Sequence, residues 1–134
     1  MKPISFLYLL LVGGVFIFSA CQEDEDPNEA TNNRLQGDWD VDSYTIDGSE
    51  QMNFSLNSFT MEYTKQGPND GEFDWLLINS FGNTTRIDGD YEIENSGMEI
   101  DFDGDEFDIE IDGDDLEIEG NVGGERWEIK AERD

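Results

Sequence analysis

From Trp39 to the C-terminus, apolar residues fall at every second position, in short runs separated by turn residues. Trp39 and Val41, then Tyr44 and Ile46, alternate with acids, and the change of parity near Ser43 predicts a bulge. Asp47-Gly48 closes that strand. Phe59-Met61-Tyr63 comes next, and Gln66 to Gly71 is a dense turn cluster. Phe73-Trp75-Leu77 forms the following stripe, thickened by Leu76 and Ile78, before a loop over 79–83. Ile87 leads to Tyr91 and Ile93 across a bend expected at Asp88-Gly89.

The C-terminal third alternates most strictly. Met98-Ile100-Phe102, Phe107-Ile109-Ile111, Leu116-Ile118 and Trp127-Ile129-Ala131 are joined by Asp103-Gly104, Asp112-Gly113 and Asn121 to Gly124, which is hairpin chemistry. A period of two buries one face and wets the other. No helical period of useful length appears, and residues 50–57 read as a loop or a single helical turn. The expectation is an all-β domain of about eight strands, an up-and-down meander closing into a small barrel or a strongly curled sheet.

The N-terminus is different in kind. Met1-Lys2-Pro3 is a short basic start, Ile4 to Phe18 is nearly unbroken apolar sequence, and Phe18-Ser19-Ala20-Cys21 ends it. These are the parts of a secretory signal. The apolar run is shorter than the roughly 20 residues of a spanning helix. Residues 18–21 resemble the lipobox of bacterial lipoproteins, with Phe18 where that family usually has Leu. The resemblance implies that residues 1–20 are removed and Cys21 is diacylated. Cys21 is the one cysteine in the chain, so no internal disulfide forms, and lipidation accounts for a lone thiol in an oxidising compartment.

Gln22-Glu23-Asp24-Glu25-Asp26 resembles the acidic surface-export signal of Bacteroidota lipoproteins. It implies a lipid-anchored protein of the outer membrane that faces the cell surface. Residues 21–34 read as an acidic flexible tether without periodicity, and residues 35–134 as the folded domain.

Charge narrows the partners. The chain carries 7 basic and 34 acidic residues and no histidine. Losing residues 1–20 removes only Lys2, leaving six basic residues against 34 acids, a net charge of −28. Nucleic acid is excluded, because its binding relies on Lys and Arg against phosphates. Charge also opposes docking on anionic lipid, which leaves the acyl chains on Cys21 as the membrane contact. Self-repulsion of this size suits a salty or divalent-rich medium. The 16 aromatic residues, most of them in alternating stripes, argue against disorder (Trp 3, Tyr 4, Phe 9).

Gly37-Asp38-Trp39 at the start of the first strand is similar to the Gly-x-Trp of lipocalins. With Gly89 to Ile93, Asp115 to Ile118 and Trp127-Glu128-Ile129, the stretch 35–131 resembles the lipocalin-like domains of bacterial lipoproteins. The Thr-Asp-x-Tyr element of core lipocalins is absent. The resemblance implies an Arg packed across Trp39 at the barrel base, either Arg126 or Arg133. It also implies a small apolar ligand inside, lined by Trp39, Tyr63, Trp75, Tyr91, Phe107 and Trp127. The competing expectation is that these side chains simply fill a small barrel. The chain would then be a structural or protein-interaction module of the envelope.

Other chemistry has thin support. Asp101-Phe102-Asp103-Gly104-Asp105 superficially resembles the start of a calcium loop but lacks Gly at its sixth position and Glu at its twelfth. No dedicated metal site and no cofactor are expected. Without histidine, and with Cys21 acylated, the usual nucleophile–base pairs are missing, and no catalysis is expected.

Overall fold

The computed structural model describes residues 26–134. Residues 1–20 (expected to be a signal peptide), Cys21 and most of the acidic run fall outside the described residues. The first element corrects the expected tether: Pro27–Leu35 is a helix, α1. Its start follows from local chemistry. Asp26 is the N-cap and its carboxylate accepts from the Asn28 amide at 2.9 Å, a Pro opens the first turn, and Glu29 and Arg34 suit the two helix ends. The buried face is Thr31, Asn32 and Leu35. Two of those three are polar, so no apolar period announced it.

Nine strands follow: β1 (Gly37–Ile46), β2 (Ser49–Glu50), β3 (Leu56–Lys65), β4 (Asp70–Asn79), β5 (Thr84–Glu94), β6 (Glu99–Phe102), β7 (Asp105–Asp112), β8 (Asp115–Val122) and β9 (Glu125–Arg133). Apart from β2, a two-residue addition to the end of β1, consecutive strands pair antiparallel. β1 then pairs with β9 from Trp39↔Arg133 to Ile46↔Trp127, which closes an eight-stranded barrel in meander order. The bulge expected near Ser43 is a register shift between Val41 and Ser43 in that seam. The expected bend at Asp88-Gly89 does not interrupt β5, which runs unbroken from Thr84 to Glu94.

Alternation does the sorting. Trp39, Val41, Tyr44, Phe59, Met61, Tyr63, Phe73, Trp75, Tyr91, Ile93, Ile100 and Phe102 all point into one core, with the acids between them outside. Each fully buried Leu, Ile or Phe contributes about 1.5–3 kcal/mol. Two glycines matter to this packing. At the β6–β7 turn, Asp103 and Gly104 both have positive φ (52° and 104°), as a two-residue primed turn requires. Gly120 leaves room for a ring, since a Cβ there would meet Phe107 at 2.6 Å.

The helix seals one end of the barrel. The Asn32 amide donates to the carbonyls of Gly67, Pro68 and Asp70, each at 3.1 Å, which ties α1 to the β3–β4 turn. The Tyr91 hydroxyl donates to Asn32 Oδ1 at 2.5 Å, and Thr31 Oγ1 donates to the Gly97 carbonyl at 3.0 Å. Asn32 is wholly buried. Replacing it with Leu strands several buried polar groups at once and should lower stability by about 2–4 kcal/mol. Urea unfolding of Asn32→Leu against the parent checks this, with a near-neutral result refuting the plug.

Candidate functional site

Strand direction gives the barrel two unlike ends. The sealed end holds α1, the β3–β4 and β5–β6 turns, and the start of β1. Trp39 is wholly buried there, and its Nε1 donates to the Leu35 carbonyl at 2.8 Å. The Arg133 guanidinium lies 4.2 Å over the Trp39 ring and donates to the carbonyls of Gln36 (2.8 Å) and Arg34 (2.6 Å). Of the two arginines left open by sequence, Arg133 is the one at the base. Arg126 sits at the other end of β9, paired with Glu119 at 2.8 Å.

The six aromatic residues expected to line a cavity do not form one wall. Trp39 and Tyr91 belong to the sealed end, where the Tyr91 hydroxyl accepts from Gln36 Nε2 at 2.9 Å. Tyr63 and Trp75 occupy the middle: the rings of Tyr63 and Tyr91 meet edge to face at 5.7 Å, and Trp75 Nε1 donates to the Tyr63 hydroxyl at 3.2 Å. Phe107 packs 5.5 Å from Phe102, which also touches Phe73, Trp75 and Tyr63. Sequence reasoning left Phe102 out of the site, although its place in the Met98-Ile100-Phe102 stripe pointed inward. Burial pushes the Tyr63 hydroxyl far up from its ordinary value and raises Tyr91 as well, so both stay neutral donors and acceptors.

Trp127 alone of the six reaches the open end. It is half-buried, opposite Ile46 on β1 and Gly120 on β8, and its ring meets Tyr44 at 5.4 Å. Its Nε1 is buried and finds no acceptor among the described residues. Half-buried Ile46, Leu56 and Val122 share that end, because Ile46 and Val122 finish β1 and β8 while Leu56 begins β3, which is antiparallel to β1. Tyr44, below them, has its hydroxyl pushed up to about 12, by burial first and then by the charge of Glu125. The result is an apolar rim with one unused N–H donor. Phe54 and Phe81 stand out from the neighbouring loops at 75% and 89% exposure, and the Ser80 amide bonds the Ser55 carbonyl at 3.2 Å to hold those loops together.

Comparison with known proteins places this geometry. No family model matches the chain, and no curated protein matches it either. Solved barrels do. One is a redesigned β-barrel, at TM-score 0.59 and 15% identity, covering 78% of this chain and 95% of that one. Another is mFAP0, a redesigned barrel bound to DFHBI, at 0.57 and 14% identity over 75% and 99% of the two chains. The siderocalin Ex-FABP aligns at 0.56 and 9% identity over 75% and 74%. The fold is a lipocalin-like β-barrel. Identities this low carry the fold and nothing about a ligand.

Outside the barrel, acids crowd. Carboxylate oxygens of Glu94, Asp101 and Glu106, from β5, β6 and β7, lie within 4.8 Å of one another. The Asp101-to-Asp105 stretch forms the β6–β7 hairpin tip, with Asp101 Oδ1 accepting from the Gly104 amide at 2.6 Å. Partial burial, then the charges of Glu106, Asp101, Glu92 and Glu99, raise Glu94 above its ordinary value. Asp40 is raised likewise, by burial and then by Asp134, Asp42 and Asp38. Glu50 goes the other way: burial would raise it, but bonds from Ser43 and from the amides of Tyr44, Met52 and Gln51 outweigh that and lower it.

The signs follow by linkage. Raised carboxyls bind protons more tightly when folded, so their contribution to stability is present at low pH and lost as pH rises through their folded values. Glu50 contributes above its unfolded value and loses that as pH falls through its folded one. Just above the ordinary carboxylate values, about 3.9 for Asp and about 4.3 for Glu, the raised groups govern. At low salt the melting temperature should therefore rise on mild acidification over that window. The rise should shrink near 1 M salt, where the Debye length is about 3 Å. Thermal unfolding across pH at two salt concentrations measures it, and a fall in melting temperature over that window at low salt contradicts it.

Proposed function

We propose that this chain is a lipid-anchored envelope lipoprotein, acylated at Cys21, whose lipocalin-like barrel receives a small apolar molecule at its open end without catalysis. The observation that carries the binding reading is the contrast between the two ends. One is sealed by α1 and clasped by Trp39 and Arg133. The other is rimmed by Ile46, Leu56, Val122 and Trp127 around a buried, unused indole N–H. A buried donor without a partner costs stability unless something bonds to it, and a ligand carbonyl or hydroxyl would. The mFAP0 barrel bound to DFHBI and the siderocalin of "dual ligand specificities" lend support at the level of fold.

The anchoring reading rests on residues 18–21 and the acids behind them. It assigns the protein to the outer membrane, facing the cell surface. The helix starts at Pro27, close behind Cys21, and five residues span at most about 18 Å, so the sealed end would lie toward the bilayer and the rim away from it.

A second reading has its own observation. Phe102 interlocks with Tyr63, Phe73, Trp75 and Phe107, which is the packing of a filled barrel serving as a protein-interaction module.

One measurement separates these readings, and a second tests the anchor. Neutral apolar probes bearing one hydrogen-bond acceptor should bind residues 22–134 saturably and shift the Trp emission. Trp127→Phe, which keeps a ring and removes the N–H, should weaken them about threefold to tenfold. No binding by a cooperatively folded domain would leave the filled module standing. For the anchor, the parent expressed in a bacterium with a lipoprotein pathway should gain acyl mass and sediment with membranes. Cys21→Ser should do neither, and an unacylated parent would refute the anchor.

A further inference from the structure

The barrel is closed along most of its height but not all of it. β5 pairs with β4 along Asp70↔Glu92 to Ile78↔Thr84, whereas β6 joins it only from Tyr91↔Phe102 to Glu94↔Glu99. Residues 84–90 therefore have a strand neighbour on one side only among the described residues. All seven are exposed except Gly89, which is half-buried. The β6–β7 turn bounds the slot at its lower end, where the Asp103 carboxylate leans over Gly89 so closely that a Cβ there would collide with it.

An unpaired strand edge carries a row of free N–H and C=O groups and is a template for another strand. This edge keeps only one of the usual protections, the charges of Arg86, Asp88 and Asp90. It has no Pro and no Lys, and it runs seven residues (TTRIDGD).

Charge identifies the occupant. Four acids stand in register across the outer face, Asp38↔Glu62, Glu62↔Asp74 and Asp74↔Asp88, and the row ends at the free edge. A second row runs Glu72↔Asp90 to the same edge. Like charges directly opposite each other in a sheet are destabilising. Arg86 answers only part of this, with its Nε 3.1 Å from Asp74 Oδ1. Asp88, Asp90 and Asp103 thus frame the slot, while Ile87 marks the inward face beside Trp75.

We propose that the free edge of β5 at Thr84–Asp90 is a docking site for an extended segment that alternates apolar and Lys or Arg residues. Its apolar residues face inward with Ile87, and its cations stand opposite Asp88 and Asp90, completing both acidic rows. A second copy of this chain fits less well. Antiparallel pairing about Ile87 would set Arg86 against Asp88, but it would bring together two strongly negative bodies and point their sealed ends in opposite directions.

The test uses the full chain in a mild nonionic detergent and three seven-residue probes: alternating Val and Lys, alternating Val and Glu, and a Pro-rich peptide with the same Lys count. The Val/Lys peptide should bind saturably and slow amide hydrogen exchange at alternate residues within 84–90, while the other two should not. Asp88→Asn should weaken the Val/Lys peptide severalfold. Asp112→Asn, at the opposite end of the barrel, should leave it unchanged. Equal binding by the Pro-rich peptide would reduce the effect to bulk charge and overturn the proposal. So would binding without protection at 84–90, or protection in the absence of peptide that depends on protein concentration, which would assign the edge to a second copy.

Discussion

The seam between β1 and β9 is the constraint on which the rest of this structure depends. A meander has two edges, and only their pairing turns a curled sheet into a barrel with an inside. Seven residue pairs make that seam, from Trp39↔Arg133 to Ile46↔Trp127, with the bulge at Val41/Ser43 adjusting its twist. The contact at its lower end is unusually well tied. Arg133 stacks on Trp39, Trp39 reaches back to the Leu35 carbonyl, and Arg133 also holds the carbonyls of Arg34 and Gln36. One cation therefore fastens the first strand, the last strand and the end of the helix. A stacked guanidinium with several donors does this where an ammonium would not.

Closure also decides where the charge goes. With 34 acids in the chain, every strand has carboxylates to place, and the barrel gives each strand a single wet face. The consequence is acids in register across neighbouring strands, such as Glu99, Asp108, Glu119 and Glu128 on β6 to β9. The few cations are set against these rows: Arg126 on Glu119, Lys130 on Glu117, Arg86 on Asp74. These pairs are exposed and each is worth little. The net repulsion is therefore left to the solvent ions, and the interior must supply the stability that the surface withholds.

Most of this fold was legible because β patterning is local. Stripes such as Phe107-Ile109-Ile111 and Leu116-Ile118, with Asp112-Gly113 between them, fix strand, face and turn from adjacent residues alone. Parity failure at Ser43 located the bulge for the same reason. The helix was not legible. Its buried face is Thr31, Asn32 and Leu35, and Asn32 is inside because of carbonyls more than thirty residues away in sequence. The candidate site was legible only in part. Alternation put Trp39, Tyr63, Trp75, Tyr91, Phe107 and Trp127 on the inner face, but height along the barrel depends on strand shear, which no single strand encodes. Trp39 and Trp127 thus share a face and lie at opposite ends. Nor does the sequence reveal that β6 is four residues long against eleven in β5, the mismatch that leaves Thr84–Asp90 unpaired.

These two departures from a uniform barrel, the helix and the free edge, have separate local causes. A closed meander of equal strands would have two similar mouths and no free edge. Here a polar helix closes one mouth, and it can do so because the turns at 66–69 and 95–98 offer carbonyls to Thr31 and Asn32. The short β6–β7 hairpin withdraws support from the upper half of β5 at the other. The aromatic network from Tyr91 through Tyr63 and Trp75 to Phe102 and Phe107 fills the interior between them. What remains incompletely packed is the upper rim, where the Trp127 N–H has no acceptor among the described residues and Ile46, Leu56 and Val122 are half covered. Both proposed recognition sites, for a small molecule and for a strand, therefore fall at the end where packing, pairing and hydrogen bonding are all incomplete.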